Sequence, residues 1–254
     1  QRIIDEFAEA GVDTSQVVFS DDMITPLASV LVNRLTGSRT IITRKMQTPP
    51  SLTYDQKLKL DDLAERLIAS EEPVTILIDG HEAEISEYLI KKLPHAKVVM
   101  DGGSLRASNI KLAAWTDYFV VSEHFARDYM SYRSLSTEAD IKAALIELNK
   151  ICRGEAFITL GEKGCAFLKS GMLQIVPSWL CNAVDTTGAG DVFHGAFTYG
   201  VHYSWHIDNI ILFASLTAAI SIEKKGVRES MPDLAVVHHS LNSYERNLKQ
   251  YFEE

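Results

Sequence analysis

Residues 74–122 read VTILIDGHEAEISEYLIKKLPHAKVVMDGGSLRASNIKLAAWTDYFVVS and contain three short apolar runs separated by helix-like segments. The runs are Val74 to Ile78, Lys97 to Met100 and Tyr118 to Val121. Strands that are buried on both faces are continuously apolar and do not alternate with polar residues. This stretch therefore predicts an α/β fold, with a mainly parallel central sheet covered by helices on both faces.

Helix and strand patterns continue on both sides of this stretch. A helix begins near Tyr54, and a long helix over 137–151 precedes a strand over 156–160. Upstream, two β-branched runs flank a Gly-containing turn, which predicts a small β-hairpin flap, or lid, over residues 27–44. No repeat or linker divides the sequence, so we expect a single domain over residues 1–254.

Composition excludes several classes of protein. The chain has 254 residues, of which 46% are hydrophobic and 23% charged, as in ordinary globular domains. The formal net charge is −9 and the basic residues are scattered, so no nucleic-acid partner is expected. No apolar run approaches the roughly 20 residues of a membrane helix. Three cysteines without a CxxC pair favour a reducing compartment, and we expect a cytoplasmic protein with no membrane partner.

The segment DTTGAGD at 185–191 carries the strongest chemical pattern in the sequence. The small residues Gly188, Ala189 and Gly190 let successive N–H groups point at one anion, and the helix that follows adds its dipole. Asp191, in the first helical turn, can accept the proton of a hydroxyl that attacks a phosphorus held there. An aspartate that only favours the helix dipole is the structural alternative, and the complete run favours the chemical interpretation.

With this signature, followed by Phe193, Gly195 and Ala196, the chain resembles the ribokinase family of carbohydrate kinases, also called the PfkB family. The resemblance implies a ribokinase-like fold, ATP and Mg²⁺ as cofactors, and phosphorylation of a hydroxyl on a small carbohydrate. It implies that Asp191 is the catalytic base. The backbone of residues 188–190 would stabilise the phosphoryl group during transfer.

The resemblance also assigns the nucleotide-binding residues. Thr159, Gly161 and Gly164 lie in a stretch that ends a buried strand and is similar to one that borders the nucleotide in the family. Gly226 lies in a loop that resembles the loop around the adenine. Without the resemblance, these glycines would be interpreted as ordinary turn residues. Asp185 and carbonyls of the same loop resemble a site for a monovalent cation such as K⁺.

Two features are similar to the ketohexokinase branch of the family. Arg106 and Ser122 have the spacing of an arginine and a serine of that branch, which implies phosphate contact for Arg106 and nucleotide contact for Ser122. A solvated arginine at a helix start is the alternative. The flap, with Arg39, resembles one that covers the sugar and contributes to dimer contacts, so we expect a homodimer through the flap.

The same cleft edge contains two further features. His81 follows a buried strand and is a candidate substrate contact, although a histidine at a strand end is more often structural. Many family members carry an Asn-x-x-Glu motif for Mg²⁺ and phosphate after the strand that corresponds to 118–121. This chain has Ser-Glu-His-Phe at 122–125 and departs from that motif.

The resemblance starts part-way into the family's pattern, since the family's first strand and its Gly-Gly-x-x-x-Asn motif do not precede Ile3. Unpaired buried backbone groups cost about 1–3 kcal/mol each. We therefore expect the active protein to be longer, or this chain to complete its sheet by association. The first interpretation is a sugar kinase that acts on a ketose such as fructose, with nucleosides next. The alternative is a catalytically inactive nucleotide- or sugar-binding protein, or a truncated remnant.

Overall fold

The computed structural model describes residues 2–19, 27–32, 39–44 and 51–242. The chain divides into two compact units, Gln1–Asp62 and Leu63–Glu254. The predicted flap belongs to the first unit, and all three apolar runs of the opening stretch belong to the second. A single domain over residues 1–254 stays a prediction.

The first unit contains a helix and a pair of strands. Helix α1 (Arg2–Glu9) precedes Gly11, whose φ of 77° is the left-handed conformation that glycine adopts without strain. Strands β1 (Leu27–Val32) and β2 (Arg39–Arg44) pair antiparallel, as the sequence predicted. Residues 33–38, where the turn was predicted, lie outside the described residues. Helix α2 (Tyr54–Ala69) begins in this unit and continues into the second.

The second unit is built on a six-stranded sheet whose strand order follows the chain. The first four strands are parallel and the last two are antiparallel. In order, they are β3 (Thr75–Ile78), β4 (Lys97–Gly102), β5 (Tyr118–Ser122), β6 (Glu155–Thr159), β7 (Cys165–Lys169) and β8 (Met172–Val176). The sheet is therefore mainly parallel, as predicted.

Helices connect and cover these strands. They are α3 (Ala83–Lys92), α4 (Ala107–Ala113), α5 (Glu123–Tyr129), α6 (Glu138–Asn149), α7 (Ala189–His202) and α8 (Ile207–Ser221), with a short 3₁₀ helix at Gly161–Lys163. A last helical segment occupies residues 234–242. No helix in the described part of the chain is long and apolar enough to cross a bilayer.

Two apolar clusters cover the two faces of the sheet. Val98 and Met100 of β4 belong to one cluster, with α3 to α6, while Val99 between them belongs to the other, with α7 and α8. All three side chains are fully buried. The central strands are thus buried on both faces, and this explains why their sequences are continuously apolar.

The amino ends of the central strands are joined through Asp117, the residue before β5. Its carboxylate accepts a hydrogen bond from Val98 N–H at 2.8 Å and from Arg153 Nη2 at 2.6 Å. Its carbonyl accepts from Glu155 N–H at 2.8 Å. One residue therefore links β4, β5 and β6 at the edge of the sheet that lies opposite the carboxyl ends of the strands.

Candidate active site

The start of α7 presents unpaired backbone donors beside an acidic side chain. Gly188 is the N-cap, with φ 78° and ψ 0°, and a Cβ at this position would lie 2.4 Å from Cγ1 of Val227. Only glycine combines that conformation with that close approach. The first helical hydrogen bond runs from Val192 N–H to the Gly188 carbonyl at 2.9 Å, so the N–H groups of Gly188, Gly190 and Asp191 are left for a ligand. Ala189 N–H makes a long hydrogen bond of 3.4 Å to the Thr186 carbonyl. Gly190 adds no obstruction, because a Cβ there would meet open space.

Asp185 joins the segment before α7 to the loop after α8. Its two carboxylate oxygens accept hydrogen bonds from Thr187 N–H at 3.0 Å and from Gly226 N–H at 3.3 Å. The backbone N–H of Asp185 donates to the Ile222 carbonyl at 3.1 Å. These hydrogen bonds give Asp185 a structural role, which the sequence did not predict. Its role at a monovalent-cation site stays a prediction.

Asp191 lies in the first turn of α7 and is exposed at the carboxyl edge of the sheet. Partial loss of hydration raises the pKa of its carboxyl group, and the negative charges of Asp101 and Asp79 raise it further. The charge of His194 opposes this shift. The side chains of Asp101, His194 and Asp79 therefore lie within electrostatic reach of Asp191, where β3 and β4 approach α7. A carboxylate with a raised pKa is a better proton acceptor, and this is what a general base requires.

His194 is buried one turn after Asp191, with 3% of its surface exposed. Its Nδ1 lies 2.7 Å from the Gly190 carbonyl and 3.3 Å from Oδ2 of Asp101, and its Nε2 lies 3.1 Å from the Val120 carbonyl. It therefore contacts α7, β4 and β5 at once. No sequence pattern points to His194, since its partners in β4 and β5 are distant in the chain.

Two residues, Arg106 and Ser122, are predicted to contact the nucleotide because of their ketohexokinase-like spacing. Both lie at the carboxyl edge of the sheet. Ser122 ends β5, and its hydroxyl accepts from Phe125 N–H at 3.0 Å and donates to the Gly103 carbonyl at 2.9 Å. It is thus the N-cap of α5. Arg106 is the N-cap residue of α4 and is half-buried at the same edge of the sheet. Ligand contacts of either residue stay predictions.

Three residues at the end of β6 and just after it are predicted to border the nucleotide, and their structural roles differ. Thr159 Oγ1 donates to the Val121 carbonyl at 3.4 Å. Gly161 has φ 60°, and a Cβ there would meet nothing within 4 Å. At Gly164 a Cβ would lie 2.0 Å from the Val176 carbonyl oxygen. Gly164 is therefore fixed by packing, whereas Gly161 leaves open space for a ligand.

The remaining predicted residues lie in three places. Gly226 has φ 88° and donates to Asp185. His81 is exposed after β3, and its backbone N–H donates to Oδ1 of Asp79 at 2.9 Å. Arg39 begins β2 in the first unit, and its side chain lies outside the described part of the structure. The structure therefore places Asp79, and not His81, within electrostatic reach of Asp191.

Comparisons with known proteins identify the family. The model of the "pfkB family carbohydrate kinase" matches residues 1–234. A curated ribokinase from Lactococcus lactis is 29% identical over 189 residues, and this alignment spans 74% of the chain and 60% of that ribokinase. The chain thus matches less than two thirds of that relative's length.

Solved structures of ribokinases have the same fold. The Giardia lamblia ribokinase superposes with a TM-score of 0.81 at 20% identity, over 96% of this chain and 78% of that one. The Arabidopsis thaliana ribokinase complexed with ribose and ATP gives a TM-score of 0.67 at 20% identity, over 85% of this chain and 68% of that one. These matches confirm the ribokinase-like α/β fold, and they leave the ketohexokinase-like branch a prediction. Given the DTTGAGD helix start and the family match over residues 1–234, the chain belongs to the pfkB family of carbohydrate kinases.

Proposed function

We propose that the protein catalyses the ATP-dependent phosphorylation of a hydroxyl group on a small carbohydrate. The observation that carries this proposal is the start of α7, where free backbone donors adjoin a carboxylate whose pKa is raised. Backbone donors at a helix start favour a phosphate oxyanion. A carboxylate beside them is placed to accept the proton of the attacking hydroxyl.

In this mechanism Asp191 is the catalytic base. It accepts the proton of the sugar hydroxyl as that oxygen forms a bond to the γ-phosphorus of ATP. The bond between the γ-phosphorus and the bridging oxygen breaks, and ADP leaves with the electron pair. The N–H groups of Gly188, Ala189 and Gly190 stabilise the charge on the phosphoryl oxygens during the transfer. Positioning and electrostatics supply the catalysis.

Nucleotide and cation sites complete the proposal. Ser122, Thr159, Gly161, Gly164 and Gly226 would border ATP, and Arg106 would contact its phosphates. The described residues contain no cluster of three metal-ligating side chains, so Mg²⁺ fits as an ion bound mainly by the nucleotide phosphates and water. Such an ion neutralises phosphate charge when bound. Asp185 would contribute to a K⁺ site through its carboxylate oxygens, together with carbonyls of the loop after α8.

The compound that receives the phosphoryl group is proposed from three classes. The L. lactis relative is named a ribokinase, so a pentose such as ribose comes first from the comparisons. A ketose such as fructose follows from the flap and from the Arg106 spacing, and nucleosides are the third class. His81 and Arg39 would contact the acceptor.

An assay of ADP release over a panel of acceptors tests the function. The protein is incubated with ATP and Mg²⁺, with and without K⁺, and with ribose, fructose, other sugars or adenosine. We expect ADP release with one class of acceptor, and mass spectrometry should show an acceptor heavier by one phosphoryl group. ATP binding with no turnover on any acceptor would contradict the kinase and support an inactive binding protein.

We further propose that the protein forms a homodimer through the flap, the segment over 27–44. In the antiparallel pair, Leu27, Leu31 and Ile42 lie on one face of the two strands, and each is more than half exposed. An isolated two-stranded sheet is only marginally stable in water. Burial of this face against a second copy would remove apolar surface from water.

A charge placed on that face should separate the dimer. We expect Leu31→Lys to convert a dimer into a monomer in light scattering coupled to size-exclusion chromatography. Met172→Lys is the matched control, because Met172 of β8 is also an exposed apolar strand residue, 61% accessible, outside the flap. Equal masses for Leu31→Lys and the unmodified protein would contradict an interface on this face.

A cytoplasmic location is also proposed. Cys152, Cys165 and Cys181 are free, and burial raises the pKa of Cys165 to about 12 and that of Cys152 to about 11. Such thiols are unreactive, and free thiols are typical of proteins in reducing compartments. Immunofluorescence or fractionation of the native protein would test the location.

A further inference from the structure

The ring of His194 has an oxygen atom in front of each nitrogen. Nδ1 faces the Gly190 carbonyl at 2.7 Å and Oδ2 of Asp101 at 3.3 Å, and Nε2 faces the Val120 carbonyl at 3.1 Å. Only 4% of the side chain is exposed. Water therefore cannot replace these partners without a rearrangement of the site.

All three oxygens are acceptors. Carbonyl oxygens have no proton to donate, and an ionised carboxylate has none either. A neutral imidazole carries one N–H, so the lone pair of its other nitrogen would point at an oxygen lone pair. A buried polar atom without a partner costs about 1–3 kcal/mol. A ring that is protonated on both nitrogens donates one hydrogen bond to each of the two carbonyls and places a positive charge beside the carboxylate of Asp101.

We propose that His194 is a positioning residue whose doubly protonated ring fixes the carboxylate of Asp101 and the first turn of α7 against β5, and places a positive charge beside Asp191. The part of this proposal that concerns turnover rests on the proposed kinase function. The part that concerns the ring itself does not.

The charged groups near His194 and Asp191 come from three elements. Asp101 approaches from β4, Asp191 from the preceding turn of α7 and Asp79 from the end of β3, whereas β5 contributes an uncharged carbonyl. Asp101 and Asp79 make proton loss from Asp191 harder, and the charge on His194 makes it easier. Removal of the imidazole would leave Asp191 with the two charges that raise its pKa and without the one that lowers it.

This placement predicts how the pH dependence of turnover responds to substitution. Without His194 the pKa of Asp191 should rise further, because the lowering contribution is lost and the raising contributions remain. The base would then be protonated, and inactive, up to a higher pH. An opposite charge close to a carboxyl group typically shifts its pKa by about one unit or more. We therefore expect the acid limb of the kcat/KM profile of His194→Asn to move up by about one pH unit.

The first experiment examines the ring directly. Long-range proton–nitrogen NMR spectra of the ¹⁵N-labelled protein distinguish a doubly protonated imidazole from either neutral tautomer, and His194→Asn assigns the signal by its disappearance. We expect both ring nitrogens of His194 to be protonated at pH 7. A neutral tautomer at that pH would overturn the proposal. This measurement requires neither a substrate nor turnover, so failure of the kinase assignment would leave it intact.

The second experiment compares pH profiles of His194→Asn and His202→Asn. His202 lies in the last turn of the same helix, and its Nδ1 faces the uncharged Thr75 hydroxyl at 3.4 Å. We expect a shifted acid limb for the first variant and an unchanged limb for the second. A merely structural role for His194 would lower kcat/KM by the same factor at every pH, and that result would overturn the proposal. If His194→Asn fails to fold, the ring signal is assigned through the backbone resonances of His194, and the spectra of the unmodified protein decide.

Discussion

Replacement of Asp191 by Asn should leave a folded protein whose kcat is lower by about 10²–10⁴-fold. The substitution keeps the shape of the side chain and removes its ability to take the proton from the attacking hydroxyl. The N–H groups at the start of α7 are unchanged, so ATP should still bind. Measurement of kcat by ADP release, with nucleotide affinity from calorimetry, checks both parts.

The stability of the Asp191→Asn variant follows from the pKa of the carboxyl group. Since the folded-state pKa is raised, the ionised carboxylate is less favourable in the folded chain than in the unfolded chain. Its loss should leave the melting temperature at neutral pH unchanged or higher, and the gain should fade as the pH falls. Asp208→Asn, in the first turn of α8, is the control for the same change at another helix start. A similar loss of kcat in both variants would contradict a specific role for Asp191.

Replacement of Gly164 by Ala should produce the largest loss of stability among the residues predicted to border the nucleotide. Gly164 has φ 101° and ψ −142°, a conformation that L-residues rarely adopt. The added Cβ would lie 2.0 Å from the Val176 carbonyl oxygen, a backbone atom held in the antiparallel pair of β7 and β8. Strain and overpacking together should cost on the order of 3 kcal/mol. In thermal unfolding the midpoint should fall by roughly 10 °C.

Gly161→Ala is the matched comparison for this prediction. Gly161 also has a positive φ, 60°, but a Cβ there would meet nothing within 4 Å. Only the left-handed backbone penalty of about 1–2 kcal/mol applies. We therefore expect Gly161→Ala to unfold closer to the unmodified protein than Gly164→Ala does. Equal midpoints for the two variants would show that the contact with Val176 relaxes freely.

The sequence predicted the sheet well because its signal is local. The apolar runs at 74–78, 97–100 and 118–121 fall on β3, β4 and β5, with ends that differ by one or two residues. Helix α5 was not predicted, although Ser122 is a favoured N-cap residue and was available as a signal. The four residues from Ser122 stand where many family members carry the Asn-x-x-Glu motif, and the first of them is also an N-cap signal for α5. Helix α7 begins at Ala189, inside the DTTGAGD segment, which agrees with the prediction that Asp191 lies in the first helical turn.

The candidate site was predictable only where a short motif defines it. The DTTGAGD run placed Asp191 in the first turn of a helix, as the structure shows. His194 was overlooked, because its partners Asp101 and Val120 lie more than 70 residues away in the chain and no spacing rule connects them. Gly164 was predicted to border the nucleotide. The close approach of its backbone to the Val176 carbonyl oxygen, which leaves no room for a Cβ, is visible only in three dimensions. Electrostatic contact between Asp79 and Asp191 likewise depends on the order of strands in the sheet.

Asp117 stabilises the sheet at the edge opposite the candidate active site. This residue joins β4, β5 and β6 at their amino ends, whereas Asp79, Asp101 and Asp191 lie towards the carboxyl ends of the strands. We expect changes around Asp117 and Arg153 to alter stability at a strand's length from the proposed catalytic base. Protein engineering should therefore be able to adjust stability and the proposed turnover independently.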